Sequence, residues 1–382
     1  MTSLKRQLAS LHEELVTYIQ LESPSTRIWD AEKTNLEDAR FNELALAAAR
    51  LQYETNGAFK TWLDQTGNKP SDWTHWHQIP GIPTQAFKTF DWTCLDPASR
   101  EHVFYSSGTT SSQSSRHWHS AQSLHLYEAS LVAWANCHRP WIHCREPGTE
   151  WLFLSPPPRE VPHSSLVHMF ATMASHQSEQ VQSHFLGRLG KQGSWELPMQ
   201  EVVNKLCALD RPTHLFATAF MWVQLLDYIK QSSNHLRLPL GSTVFETGGY
   251  KGQSRALSRE AFDGLMKDAL GMSPDCILRE YGMSELSSQA YPTHQREGEE
   301  PTRPGPFVFP PWARHRILDP ETGRQVAQGE VGMLQIVDLA NLWSGLSVLT
   351  EDLVRENGQG FHWVGRATGS ELRGCSLTSD NF

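Results

Sequence analysis

The sequence predicts an α/β fold, because short apolar runs alternate along the chain with loops of small residues and with helical patterns. Five such runs span residues 103–105, 151–154, 214–216, 243–245 and 276–278. With 382 residues, of which 39% are hydrophobic, the chain is long enough to bury a substantial core. Ligands of α/β sheets bind at the carboxyl ends of strands, so the loops after these runs are the candidate functional segments.

The N-terminal residues 1–60 are expected to form helices that pack on the main body. Apolar side chains recur at helical spacing at Leu4, Leu8, Leu11, Leu15 and Ile19. A second apolar stripe covers residues 44–51 and predicts another helix.

The last quarter of the chain predicts β-structure. Residues 319–323 (DPETG) have turn composition and lie between the apolar runs 316–318 and 332–337, a pattern typical of a β-hairpin. We expect one large domain over residues 1–366, with a β-rich part from about 305 to 366. Residues 367–382 are polar, and we expect a mobile tail there that carries Cys375.

Composition excludes several functional classes. Lys and Arg number 33 against 42 Asp and Glu, a formal net charge of −9, which argues against a general nucleic-acid-binding protein. No stretch approaches the 18 or more apolar residues of a membrane span. The first residues do not have the pattern of a signal peptide, so we expect a cytoplasmic protein. The six cysteines form no CxxC pair, so a disulfide framework is not indicated.

A serine-rich loop after the first run is the strongest local signal for function. Residues 105–116 (YSSGTTSSQSSR) present hydroxyl and backbone N–H groups that can surround phosphate oxygens. The candidate phosphate-binding residues are Ser106, Ser107, Gly108, Thr109, Thr110 and Ser111. The pattern is not a Walker A loop, and a flexible surface loop is the alternative.

Paired glycines follow the fourth apolar run, at Gly248 and Gly249. Because glycine has no side chain, the backbone there can approach a flat ligand closely. A tight turn is the alternative interpretation.

The fifth run leads into residues 281–285 (YGMSE), which combine an aromatic ring, a hydroxyl and a carboxylate. The Tyr281 ring suits stacking and the Glu285 carboxylate suits a hard cation, with Gly282, Met283 and Ser284 as the candidate binding residues between them. The same segment also fits a helix N-terminus with Ser284 as its cap.

Near the C-terminus, Asp352 can hold the two hydroxyls of a ribose, and Arg366 can reach a phosphate. A surface salt bridge is the alternative for this pair.

The four motifs, in this order, resemble the adenylate-forming superfamily, which includes the acyl-CoA synthetases. The resemblance covers about residues 80 to 375. It implies a large-domain fold with stacked sheets flanked by helices and a small β-rich C-terminal part. It also implies that the serine-rich loop binds ATP phosphates, the glycines lie along the adenine, Glu285 binds Mg²⁺ and Asp352 grips the ribose.

Within that superfamily, three stretches resemble the acyl-protein synthetases of bacterial bioluminescence, the LuxE type. They are residues 82–88 (IPTQAFK), 247–252 (TGGYKG) and 373–377 (RGCSL). The resemblance implies that Cys375 takes the acyl group from acyl-AMP and passes it to a partner reductase.

Two features depart from the superfamily pattern. Ser111 replaces the third glycine of the usual phosphate loop. The chain also stops where the small C-terminal lid domain of the superfamily would begin, so we expect that domain to be lacking, as in the LuxE type.

The sequence therefore predicts ATP-dependent activation of a carboxylic acid, expected to be fatty, followed by transfer to Cys375 and on to an acyl-accepting protein. Arg366 is expected at the ribose–phosphate end, while Lys88, Lys251 and Arg116 are further cations without an assigned role. One alternative is a ligase that passes an aryl or biosynthetic acid to CoA or a carrier protein. A non-catalytic nucleotide-binding protein is the alternative from another class.

Overall fold

The computed structural model describes residues 3–22, 34–106, 114–137, 149–176, 182–232, 236–248, 257–292, 305–358 and 360–367. The chain divides into two compact units. Unit 1 comprises Met1–Cys137, Met283–Ala290 and Pro306–Phe382, and unit 2 comprises His138–Gly282 and Tyr291–Gly305. Both units contain helices and sheets, and the predicted α/β class is confirmed. The single domain expected over residues 1–366 stays a prediction.

The α-helices are α1 (Ser3–Glu22), α2 (Thr34–Thr55), α3 (Gly57–Thr66), α4 (Ala86–Thr89), α5 (Ala121–Ala135), α6 (Ser165–Ser175), α7 (Met199–Cys207), α8 (Ala219–Gln231) and α9 (Arg259–Leu270). None of these described helices combines the length and the apolar character needed to cross a membrane.

The strands are β1 (Ile82–Pro83), β2 (His102–Tyr105), β3 (Arg116–His119), β4 (Glu150–Phe153), β5 (Gln182–Phe185), β6 (Arg188–Leu189), β7 (Trp195–Glu196), β8 (Thr213–Thr218), β9 (Thr243–Thr247), β10 (Ile277–Glu280), β11 (Tyr291–Pro292), β12 (Phe307–Val308), β13 (Ala313–Leu318), β14 (Val331–Asp338), β15 (Ser347–Asn357) and β16 (Gly360–Arg366).

The predicted N-terminal helices are confirmed in unit 1. Helix α1 buries the apolar stripe that its sequence presents, with Leu8, Leu11, Leu15 and Ile19 all at most 6% exposed. Helix α3 begins at Asn56, whose side chain accepts a hydrogen bond from a backbone N–H in the first turn and so caps the helix.

An antiparallel sheet in unit 1 contains β12, β16, β15, β14 and β13 in that order, and β1 pairs with β15 in parallel. The predicted hairpin is β13–β14. The Asp319 carboxylate accepts hydrogen bonds from the Glu321 and Thr322 N–H groups, at 3.0 and 2.7 Å. Gly323 adopts a φ of 65°, which a glycine reaches without strain. Local turn chemistry therefore fixes the hairpin.

The serine-rich loop connects β2 to β3, an antiparallel pair that runs from His102 opposite His119 to Tyr105 opposite Arg116. Half-buried and buried side chains alternate along β3, so these four residues have the two-residue period of a strand. Helix α5 begins only after them, with Ser120 as its cap.

Unit 2 contains a parallel sheet in the order β10, β9, β8, β4 and β5. All six residues of β8 are buried, as expected for a strand covered on both faces. Helix α8 packs Met221 and Trp222 into the core, where the Trp222 indole N–H donates to the Phe245 carbonyl at 3.0 Å. The ends of β9 and β10 lie level, because Thr247 is opposite Glu280.

Candidate functional site

Glu285 is the centre of the candidate site in unit 1. Its side chain is buried, and its Oε1 accepts a hydrogen bond from the Ser115 hydroxyl. Ser115 stands at the end of the serine-rich loop, where its N–H donates to the Ser106 Oγ at 3.0 Å. The Ser106 hydroxyl therefore closes the base of the loop beside Glu285. The other predicted loop residues, Ser107, Gly108, Thr109, Thr110 and Ser111, lie outside the described residues.

The charge of Glu285 is disfavoured by its own burial. Burial raises the pKa of the Glu285 carboxyl, and the hydrogen bond from Ser115 and the positive charges of Arg366 and Lys88 oppose that rise. A divalent cation would favour the ionised form in the same way. Within the described ranges no three His, Cys, Asp or Glu side chains cluster as a metal cage. Mg²⁺ binds through few carboxylates together with substrate phosphates, so a single carboxylate is compatible with it, and the role of Glu285 as its ligand stays a prediction.

The segment Met283–Ala290 is held by a buried carboxylate rather than by regular structure. These residues form turns, so the alternative of a helix N-terminus capped by Ser284 is wrong. The Asp338 Oδ2 accepts from the N–H groups of Ser287 and Ser288, at 3.0 and 2.8 Å. Its Oδ1 accepts from the Ser288 hydroxyl and the Ala340 N–H, at 2.7 and 3.0 Å.

Two further side chains fix the backbone on either side of the Glu285 side chain. The Asn341 amide donates to the Glu285 carbonyl at 2.9 Å and accepts from the Ser287 hydroxyl at 2.7 Å. On the other side, the His117 Nδ1 lies 2.8 Å from the Ser284 carbonyl. Burial lowers the pKa of His117 to about 4, so the neutral ring carries its proton on Nδ1 and donates to that carbonyl.

Asp352 and Arg366 lie opposite each other on β15 and β16. The Arg366 Nε is 3.8 Å from the Asp352 Oδ1 and 3.6 Å from the Glu351 Oε2. The Arg366 side chain is 64% exposed, so these contacts are weak and leave the guanidinium accessible to an anion. The pair thus forms the salt bridge that the sequence offered as an alternative, and its binding role stays a prediction.

Gly248, Tyr281 and Gly282 leave the parallel sheet of unit 2 at one edge, because the strands that precede them end level. Gly248 has a φ of 65°, the left-handed conformation of a tight turn. Gly249 lies outside the described residues. A role for these residues in holding a base stays a prediction.

Sequence reasoning missed Asp338, Asn341 and Glu280 as buried polar groups. Glu280 ends β10, where its carboxylate accepts a hydrogen bond from the Thr247 hydroxyl, and burial raises its pKa to about 7. The available signal was a carboxylate two residues after the apolar run 276–278. Among the cations without an assigned role, Arg116 is paired with Asp91, and its Nε donates to the Asp91 Oδ1 at 2.8 Å. Lys251 lies outside the described residues.

The family model of the LuxE acyl-protein synthetases matches residues 196–382. The matched part is just under half of the chain and is similar to that family. Two of the three stretches that carried the resemblance, residues 247–252 and 373–377, lie in this match. A long-chain-fatty-acid–luciferin-component ligase of Aliivibrio fischeri is 25% identical over 178 residues, which cover 44% of this chain and 45% of that protein. The match thus spans less than half the length of the curated relative.

Solved structures confirm the adenylate-forming ligase fold. A 2-hydroxyisobutyryl-CoA ligase in complex with 2-HIB-AMP and CoA is 13% identical, with a TM-score of 0.61 over 90% of this chain and 73% of that one. An open conformation of the same ligase is 12% identical, with a TM-score of 0.59 over 86% of this chain and 70% of that one. At these identities the likeness concerns the fold alone.

We expect Asp338→Asn to lower the free energy of unfolding by about 2–4 kcal/mol, because two of four buried donors lose their acceptor. Urea unfolding of the full chain measures the change. Asp268→Asn, an exposed aspartate on α9, is the matched control and should change stability by at most about 0.5 kcal/mol. Equal stability of the two variants would show that Asp338 does not hold the segment.

Glu280→Gln should change the pH dependence of stability. Between its ordinary pKa and about 7, the folded protein holds a proton on Glu280 that the unfolded chain has lost. This group therefore makes the protein less stable as the pH rises through that window, and glutamine removes the effect. The melting temperature of Glu280→Gln minus that of the wild type should increase from about pH 5 to about pH 8.

The exposed Glu201 on α7 supplies the control for this measurement. Glu201→Gln should show a constant difference from the wild type over the same pH range, because this side chain is exposed to solvent in the folded protein as it is in the unfolded chain. A constant difference for Glu280→Gln would contradict the expectation.

Proposed function

We propose that this protein activates a carboxylic acid with ATP, forming acyl-AMP and pyrophosphate, and then takes the acyl group onto Cys375. The observation that carries the proposal is the buried Glu285 at the base of the serine-rich loop, with the charges of Arg366 and Lys88 acting on it. The LuxE match over residues 196–382 and the adenylate-forming fold support the same reaction.

In the proposed reaction, a carboxylate oxygen attacks the α-phosphorus of ATP, and the bond from that phosphorus to the pyrophosphate oxygen breaks. Two anions have to approach each other, so positioning and charge neutralisation supply most of the catalysis. Glu285 would hold Mg²⁺, which supplies positive charge to the phosphate oxygens when bound. Hydroxyl and N–H groups of the loop, predicted at residues 106–111, would bind the same oxygens.

The nucleoside end of ATP is proposed to be bound by residues of the other three motifs. Asp352 would accept hydrogen bonds from the ribose hydroxyls, and Arg366 would pair with the phosphate next to the ribose. Tyr281 would stack on the base, with Gly248 and Gly249 allowing close approach of the backbone.

The acyl group is proposed to move to Cys375, whose position lies outside the described residues. The thiolate sulfur would attack the acyl carbonyl, a thioester bond would form, and AMP would leave with its electron pair. The acid is proposed to be a long-chain fatty acid, as the name of the Aliivibrio fischeri relative indicates for that protein. An acyl-accepting protein, such as a reductase, would then take the acyl group.

Glu285→Gln should reduce acid-dependent exchange between ATP and labelled pyrophosphate by about a hundredfold or more, because the cation loses its carboxylate. Stability should be unchanged or increased, because glutamine keeps the hydrogen bond with Ser115 and removes a buried charge. Glu201→Gln is the control and should exchange like the wild type. Undiminished exchange by Glu285→Gln would exclude Glu285 from the reaction.

Intact-protein mass spectrometry tests acyl transfer. After incubation with ATP, Mg²⁺ and a panel of carboxylic acids, the wild type should gain the mass of one acyl group, and hydroxylamine should remove it. Cys375→Ala should gain no mass, while Cys207→Ala, which removes an exposed cysteine, should behave like the wild type. Pyrophosphate release without a mass gain would favour transfer to CoA or a carrier protein. Neither product with any acid would favour a non-catalytic nucleotide-binding protein.

A further inference from the structure

Helix α4, which carries Lys88, is fixed from two sides. Phe87 is completely buried and anchors the helix to the core of unit 1. On the other side, the Arg116 guanidinium lies 3.4 Å from each of the Lys88 and Thr89 carbonyls and donates to both. Its Nε donates to the Asp91 carboxylate at 2.8 Å. The backbone of Lys88 is therefore held against the strand that follows the serine-rich loop.

This placement brings Lys88 close to the candidate phosphate site. Arg116 directly follows Ser115, whose hydroxyl donates to Glu285. The Lys88 ammonium is near enough to the Glu285 carboxylate for the two charges to interact. The Lys88 backbone is thus joined through Arg116 and Ser115 to the base of the loop in unit 1.

The Lys88 ammonium has no hydrogen-bond or ion-pair partner among the described residues. The acid closest in sequence, Asp91, is already occupied by Arg100, Arg116 and the Trp118 indole N–H. A lysine whose backbone is fixed and whose ammonium has no partner carries donors that an anionic ligand can use.

We propose that Lys88 is a phosphate-binding residue, whose ammonium donates to an oxygen of the phosphate chain of ATP beside Glu285. The assignment deepens the proposed function and rests on it for the identity of the nucleotide. The phosphate chain is favoured over the ribose, because the predicted ribose residue Asp352 already faces a cation in Arg366. It is favoured over the substrate carboxylate, because Lys88 is anchored through Arg116 to the base of the serine-rich loop.

The test compares the affinities of the full-length protein for Mg·ATP and for adenosine by isothermal titration calorimetry. Lys88→Gln should weaken Mg·ATP binding about ten- to a hundredfold, the effect of losing one charge-assisted hydrogen bond, and should leave adenosine binding unchanged. Lys88→Arg keeps the positive charge and should bind Mg·ATP within about fivefold of the wild type. Lys69→Gln, which removes an exposed lysine of unit 1, is the matched control and should have no effect.

The unfolding temperature of Lys88→Gln should equal that of the wild type, because the substitution removes no partner within the described residues. Binding of Mg·ATP by Lys88→Gln within about twofold of the wild type would overturn the assignment. An equal loss of adenosine affinity would also overturn it, because adenosine carries no phosphate. A wild type that binds no Mg·ATP would overturn the assignment together with the proposed function.

The failure of the proposed function is separable from the failure of this assignment. If no acid supports pyrophosphate exchange but Mg·ATP binding depends on Lys88, the proposed reaction fails and the Lys88 assignment stands. If the wild type catalyses exchange and Lys88→Gln binds Mg·ATP normally, only the assignment fails.

Discussion

The position of Glu285 depends on the buried carboxylate of Asp338. Its two oxygens accept four hydrogen bonds, from the backbone and hydroxyl of the 287–288 turn and from the Ala340 N–H. Burial raises the pKa of Asp338 to about 6, so the group is still mostly ionised at neutral pH and can accept all four. The N–H groups of an irregular segment have no helix or strand partners and need other hydrogen-bond acceptors. The two oxygens of one carboxylate can accept from several of them.

Glu285 and Asp338 are both buried acids of unit 1, but their surroundings give them different chemistry. Both oxygens of Asp338 accept two hydrogen bonds each from groups of the protein, and these bonds stabilise its charge. Glu285 accepts one side-chain hydrogen bond, from Ser115, and otherwise interacts with the charges of Arg366 and Lys88. An acid that is incompletely compensated retains the capacity to bind a cation. Asp338 therefore holds the segment in place, and Glu285 on that segment is available to a ligand.

Sequence reasoning succeeded where structure is decided locally. The stripe through Leu8 and Leu15 specified α1, and the DPETG turn specified the β13–β14 hairpin. It left a helix cap at Ser284 open as an alternative, because cap chemistry is present there, but the segment is held by the distant Asp338 and His117.

The fold class, the order of the motifs and the kinds of side chain in each motif follow from local patterns in the sequence. Which of those side chains have partners depends on how distant segments pack together. Ser115 and Glu285 are 170 residues apart, and Asp338 and Ser288 are 50 apart. Arg116 and Lys88 look alike as candidate cations in the sequence, yet Arg116 pairs with Asp91 and the Lys88 ammonium has no partner among the described residues. Pairing depends on distances of a few ångströms between remote parts of the chain, and these distances are set by packing, which local patterns do not encode.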